Sequence, residues 1–407
     1  MTRREKTILA AVSLCHGLVH SYMLVLPTIY NSLGSALGLK FSGVGFIGMA
    51  SYMAFGFGAL PTGFLVDRLG ARRLLVVCVA GMALSSLVAF LSHNTAGVVI
   101  ALVLMGLFGS LYHPSGLALI STSIKDLGKA LGIHGTAGTI GEAGAPILAG
   151  VITARLGWNY SYLALGVVGT AALVFLTMIL RQVRAAPEGH VEADHADSAE
   201  SGLGRDLVAI YAMGALYGLT YRVLITFFPS YLAERVAFVG ADVKRLGMVT
   251  SAVMAASLVG PILGGYLASS RRAIERNLLV VFSLLAVLAL GFYFLKGAGL
   301  ILVAAPAVLL VFSFQPLQNV LVAKASHSSF RGRAYGINST VSFGIGSLAA
   351  GAGGVFGERF GIRSIFLLMF ALCLAQVALV AAVRRRRVRL ARATGDRPAR
   401  KFKASVK

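Results

Sequence analysis

Twelve stretches of this chain stay apolar for about 20 residues at a time, the length a helix needs to cross the hydrocarbon of a bilayer. They fall at 7–29, 42–66, 74–92, 97–122, 130–154, 160–180, 206–232, 246–268, 278–295, 300–323, 333–356 and 363–383. Lipid offers no water to backbone N–H and C=O groups, so each crossing must be a helix that satisfies its own hydrogen bonds. The expected fold is therefore all-α and integral to a membrane, with about 12 transmembrane helices. Of the 407 residues, 57% are hydrophobic and only 13% are charged, too little polar surface to keep such a chain in water. The first stretch is too long for a signal-peptide core and is read as a retained helix.

A formal net charge of +22 could point to nucleic acid, but the placement of the charge argues for topology instead. Of the 37 Lys and Arg residues, 28 fall on the side shared by the two termini and 8 on the other, with Arg222 inside a helix. Positive-inside orientation then puts both termini in the cytoplasm of a multi-pass protein of the cell inner (plasma) membrane. The tail from Arg384 to Lys407 carries 11 basic residues and one acid. It reads as a topology anchor that contacts anionic lipid, at about 1 kcal/mol per basic residue. Residues 181–205 hold five acids and almost no large apolar group, so they read as a solvated linker, with His190 and His195 facing water. The three cysteines, Cys15, Cys78 and Cys373, fall inside apolar runs and suit neither a disulfide nor a zinc site. No phosphate-cradling Gly-x-x-x-x-Gly-Lys-Ser/Thr loop and no nucleophile–base pair is present, so neither direct use of ATP nor an enzyme is expected. No metal and no cofactor are called for.

The chain repeats itself. Gly128-Lys129-Ala130-Leu131-Gly132-Ile133-His134-Gly135-Thr136 returns as Gly332-Arg333-Ala334-Tyr335-Gly336-Ile337-Asn338-Ser339-Thr340. Pro27 returns as Pro229, Pro114 as Pro316, and Gly63-Phe64-Leu65 as Gly265-Tyr266-Leu267. A repeat on this scale is a duplicated six-helix bundle rather than a solenoid. The expected organisation is a bundle at 1–180, the linker at 181–205, a second bundle at 206–383 and the basic tail at 384–407.

Ionisable groups inside spanning helices are costly and mark polar cavities. Here they are His16, His20, His113, His134, Glu142 and Arg222. His16 and His20 lie four apart and share a helix face. Glu142 is the one carboxyl placed deep in the bilayer, a group that can take up and release a proton. Its bland alternative is a structural ion pair with Arg222 or a histidine. Arg222 stands at the repeat position of His20, so the two are expected to face each other, with Tyr217 and Tyr221 alongside. A guanidinium at the midplane favours an anionic group. Gln315, Gln318, Asn319, Asn338 and Ser342 add neutral hydrogen-bonding capacity on the tenth and eleventh helices.

Between the second and third helices runs Gly63-Phe64-Leu65-Val66-Asp67-Arg68-Leu69-Gly70-Ala71-Arg72-Arg73. This resembles the signature loop of the major facilitator superfamily, Gly-x-Leu-x-Asp-Arg-x-Gly-x-Arg-Arg. The resemblance implies parallel six-helix halves with the substrate site between them, and a conformational latch formed by Gly63, Asp67, Arg68, Gly70 and Arg72. The second copy has lost the acid and the first arginine, with Ser269 and Ser270 at those positions. In the fifth helix Gly138, Gly141, Gly144, Ala145, Pro146, Ala149 and Gly150 resemble the antiporter motif of drug:proton exporters, with alanine for glycine at two places. The arginine motif of such exporters on the fourth helix is absent, since Met105 and Phe108 stand at its key positions. His16-Gly17-x-x-His20 with Leu26-Pro27, Tyr112-His113-Pro114-x-Gly116, and Phe227-Phe228-Pro229-Ser230-Tyr231-Leu232 are similar to the fosmidomycin-resistance branch.

The expected function is secondary transport by alternating access: proton-coupled efflux of a small anionic or amphiphilic compound by a monomer. Glu142 and His113 would serve proton coupling, while His20, Arg222, Tyr221, Gln315, Gln318, Asn319 and Asn338 would meet the substrate. The alternatives are an uptake symporter for an organic anion and, from another class, a non-transporting membrane receptor or scaffold.

Overall fold

The computed structural model describes residues 1–183, 203–269, 274–326 and 331–393. Most of the linker with His190 and His195, the residues 270–273 and the end of the basic tail lie outside them. Among the described residues twelve helices are long and apolar enough to span a membrane. They are α1 (Arg3–Leu37), α2 (Phe41–Val66), α3 (Ala71–Leu91), α4 (Thr95–Ser123), α5 (Lys129–Leu156) and α6 (Trp158–Arg181). The second six are α7 (Leu207–Arg235), α8 (Val243–Leu267), α9 (Ile274–Phe294), α10 (Gly297–Val322), α11 (Arg333–Phe360) and α12 (Ile362–Arg386).

Short polar residues start several of them by occupying backbone N–H groups that have no partner in a first helical turn. Thr2 and Glu5 form a reciprocal capping box at the start of α1. Glu5 then accepts the Lys125 N–H at 3.0 Å, which ties that end of α1 to the α4–α5 connection. Asn94, Asp126 and Asp242 cap α4, α5 and α8. Gly70 makes the α2–α3 turn at φ 80°, a conformation a β-carbon opposes.

Two six-helix bundles repeat the same internal packing. A β-carbon at Gly141 of α5 would strike the backbone of Gly17 on α1, and one at Gly346 of α11 would strike Gly218 on α7. Backbone-to-backbone approach of this kind is how spanning helices gain contact where lipid supplies no hydrophobic drive.

The bundles meet through α2 on α11, α5 on α8 and α1 on α7. At the end away from the 63–73 loop, the Ser42 N–H donates to Glu358 Oε2 at 3.2 Å and Lys40 lies 3.8 Å from Glu358 Oε1. Ser230 donates to Asn31 at 3.4 Å there as well. At the loop-bearing end Arg333 lies 5.5 Å over the Phe64 ring, and Gly135 faces Pro261. Midway, the N–H of Ile147, next to the helix-bending Pro146, donates to Ser251 of the other bundle at 2.9 Å. The halves touch at both ends and between, so the conformation is occluded.

Three helices are irregular at mid-depth. Pro114 has no N–H to offer the carbonyl four residues back, and α4 breaks between Gly109 and Tyr112. α8 tightens into a short 3-10 turn at Ala255–Leu258 before Gly260-Pro261. α11 widens into a π turn at Thr340–Ile345, a feature common at functional sites.

Candidate functional site

α1, α4 and α5 bring four histidines together. His16 and His20 project from one face of α1, one turn apart, with ring centroids 4.7 Å from each other. The break in α4 presents His113 to both, at 5.4 Å and 5.7 Å. His134 of α5 stacks flat on His16 at 4.1 Å. All four are buried. The Tyr112 hydroxyl donates its single proton to the Val12 carbonyl at 2.9 Å and lies 3.3 Å from His134 Nδ1.

Glu142 is 1% exposed and receives hydrogen bonds from both halves of the molecule. His20 Nδ1 lies 2.5 Å from its Oε1, and the Tyr221 hydroxyl of α7 donates to the same oxygen at 2.8 Å. Its Oε2 is buried without a hydrogen-bond partner. The ion pair with Arg222 is therefore not formed; the partner is His20.

Arg222 follows Tyr221 on α7 and points elsewhere. Its guanidinium lies 3.5 Å over the Tyr52 ring of α2, a cation–π contact between the halves. Nη1 is buried with no hydrogen-bond partner, and among the described residues no carboxylate pairs with it. The expected pairing of His20 with Arg222 across the pseudo-axis is replaced by these two separate contacts. The halves share a third one: Phe343, in the π turn of α11, stacks on His113 at 5.2 Å and meets Phe55 of α2.

The neutral polar groups form their own cluster in the second half. Gln318 donates to Asn338 at 2.6 Å and reaches Ser342 at 3.5 Å. Gln315 and Asn319 are half-buried on α10, and the Asn319 carbonyl accepts from Tyr335. Along α5, Gly141 meets α1 and Gly150 meets Gly247 of α8, while Ala145 is buried and Gly144 has open space beside it. In the 63–73 loop Gly63 is buried, Arg68 exposed and Arg72 half-buried, while the Asp67 side chain lies outside the described set.

Sequence reasoning missed Tyr52, Phe55 and Phe343. The first could have been flagged as a tyrosine in mid-span, a hydroxyl that must find a partner. Nothing in the sequence marks Phe343.

Twelve spanning helices in two bundles, closed around a buried carboxyl and a buried guanidinium, define a polytopic membrane protein. The chain belongs to the Major Facilitator Superfamily, whose family model matches residues 9–350. It is 36% identical over 135 residues to the tetracenomycin C resistance and export protein of Streptomyces glaucescens, covering 33% of this chain and 25% of that one. It is 24% identical over 247 residues to a probable L-galactonate transporter of Escherichia coli K12, covering 56% of this chain and 54% of that protein. A probable sulfoacetate transporter of Cupriavidus necator is 24% identical over 263 residues, 59% of this chain and 58% of its own length. The matches thus span from a quarter to just over half of these relatives. The inward-facing structure of a bacterial homologue of the human lysosomal transporter Spinster superposes with TM-score 0.74 at 13% identity, over 95% of this chain and 98% of that one, a likeness of fold.

Proposed function

We propose that this protein exports a small anionic or amphiphilic compound in exchange for protons, by alternating access across the cell inner membrane with both termini in the cytoplasm. The observation that carries the reading is the Glu142 carboxyl, buried in the occluded core and bonded from both halves by His20 and Tyr221. Hydrogen bonds to an ionised carboxylate are roughly twice as strong as those to a neutral acid. An ionised Glu142 therefore grips Tyr221 and holds the halves together, and a proton delivered to the unpartnered Oε2 loosens the grip. The bond lies where the halves must part, so protonation and opening are linked.

Arg222 supplies the second element. Its unpartnered Nη1 lacks the anion that a buried guanidinium requires, and a carboxylate, sulfonate or phosphonate on the cargo would provide it. Its neighbour Tyr221 touches the proton site, so cargo and proton report to adjacent residues of one helix. The relatives, a tetracenomycin C resistance and export protein, a probable L-galactonate transporter and a probable sulfoacetate transporter, support this cargo class. His113 shapes the pocket, and the 63–73 loop latches the cytoplasmic side.

The test uses proteoliposomes carrying a pH dye, under imposed gradients of phosphonates, sulfonates and sugar acids. Proton flow opposite to the cargo, lost in Glu142→Gln, is the expected result. Flow in the same direction as the cargo makes this an uptake symporter for an organic anion. Proton flow unchanged in Glu142→Gln returns the carboxyl to a structural role.

A further inference from the structure

The geometry points to a divalent transition-metal site of the zinc type, built from His16, His20 and His113 inside the first half. One ring nitrogen from each lies within 4.8 Å of the others, and all three residues are buried. A three-imidazole site with metal–nitrogen bonds near 2.0–2.1 Å holds its nitrogens about 3.4 Å apart and its ring centroids about 5.2 Å apart. The centroids here stand 4.7, 5.4 and 5.7 Å apart. The rings are also mutually edge-on, at 72°, 83° and 76°, as in a tripod around one point. His134, by contrast, stacks flat on His16 at 11° and stands outside the tripod.

Hydrogen bonding sets the tautomers for ligation. The His134 carbonyl can only accept, so His16 Nδ1, 2.7 Å away, carries the proton and Nε2 keeps its lone pair. That Nε2 is buried with no partner, and so is His113 Nε2. His20 Nδ1 faces the Glu142 carboxyl, which leaves its other nitrogen for the metal. His16 thus has a carbonyl and His20 a carboxylate behind it, the usual outer support of a metal-bound histidine, fixing ring orientation and raising basicity. Two buried imidazole nitrogens without partners, on neighbouring rings, are costly unless something binds them. A metal ion answers both.

The remaining requirements are met nearby. Glu142 offsets one of the two positive charges through His20. Phe55 and Phe343 flank His113 at 5.8 and 5.2 Å and keep the site dry. Three protein ligands leave the fourth tetrahedral position open to water or an oxyanion. The widest nitrogen pair must close by roughly 1.4 Å, within reach of small ring rotations.

The site belongs to the first bundle, so it can be tested apart from transport. The full chain, purified with a tag free of histidine and carrying His190→Ala and His195→Ala to remove linker background, is titrated with Zn²⁺ alone by calorimetry. Co²⁺ is added in parallel, since its visible absorption reports four-coordinate geometry. One ion per chain, a tetrahedral Co²⁺ spectrum and no binding of Mg²⁺ are expected. His113→Phe keeps the ring contacts with Phe55 and Phe343 but removes a ligand, and should weaken binding at least tenfold. Glu142→Gln should weaken it about 10- to 100-fold through the lost outer support. Monodispersity and metal-free melting temperature identify variants that merely misfold. Absence of binding by the well-folded parent, or stoichiometry and affinity unchanged in both His113→Phe and His16→Ala, overturns the assignment whatever the transport assay returns.

Discussion

Tyr221→Phe removes one hydroxyl from α7 and with it the hydrogen bond to Glu142 that joins the halves. The carboxyl is 1% exposed, so water does not replace the lost donor in the closed state. A hydrogen bond to a charged group contributes about 1.5–3 kcal/mol, and a neutral one about 0.5–1.5 kcal/mol. If Glu142 is ionised in the occluded form, the substitution lowers the closed-to-open ratio by about 10- to 150-fold. In a Glu142→Gln background the same substitution should cost only about two- to tenfold, because the bond it removes there is neutral. Spin labels at the exposed Lys40 and Arg359 at one end, and at Arg73 and Arg276 at the other, report the two openings by pulsed distance measurement. Cys15, Cys78 and Cys373 are buried and need not be removed for labelling. Tyr221→Phe should broaden at least one distance distribution toward longer values, and more so with Glu142 intact. Equal shifts in the two backgrounds would show that the hydroxyl and the carboxyl do not act together, and the linkage of protonation to opening would fall.

Two further outcomes follow from the packing. Gly141→Ala should lower the detergent melting temperature, because the added β-carbon meets the Gly17 backbone and overpacking costs about 1–3 kcal/mol; Gly144→Ala, with open space beside it, is the control that should leave it unchanged. Arg222→Lys keeps the charge but gives up the flat stack on Tyr52 and the fork that grips an oxyanion. Cargo transport should fall by about tenfold or more while the melting temperature holds, and an undiminished rate would remove Arg222 from the cargo path.

The fold was legible because a bilayer leaves few choices. Runs of apolar residues and the repeat from Gly128 to Thr136 into Gly332 to Thr340 can be read directly along the chain. The candidate site was legible only as an inventory. Which group touches which depends on the rotation of each helix, and a third of a turn decides it. Thus Glu142, His20 and Arg222 were all visible and a histidine partner for Glu142 was among the alternatives, but that the partner is His20 rather than Arg222, and that Arg222 sits on Tyr52, were not. The tripod of His16, His20 and His113 escaped for a related reason: its members come from two helices, and its geometry arises from the break that Pro114 imposes on α4.

Tyr221 and Arg222 are neighbours on α7, and successive residues of a helix point about 100° apart. One reaches toward α5 and the other toward α2, so α7 is braced on two sides like a shaft held by two spokes. A tip roughly 8 Å from the axis travels about 2 Å when the shaft turns by about 15°, enough to part a hydrogen bond. A rotation of α7 by that amount therefore disturbs the contacts with α5 and with α2 together, so neither side of the brace yields alone.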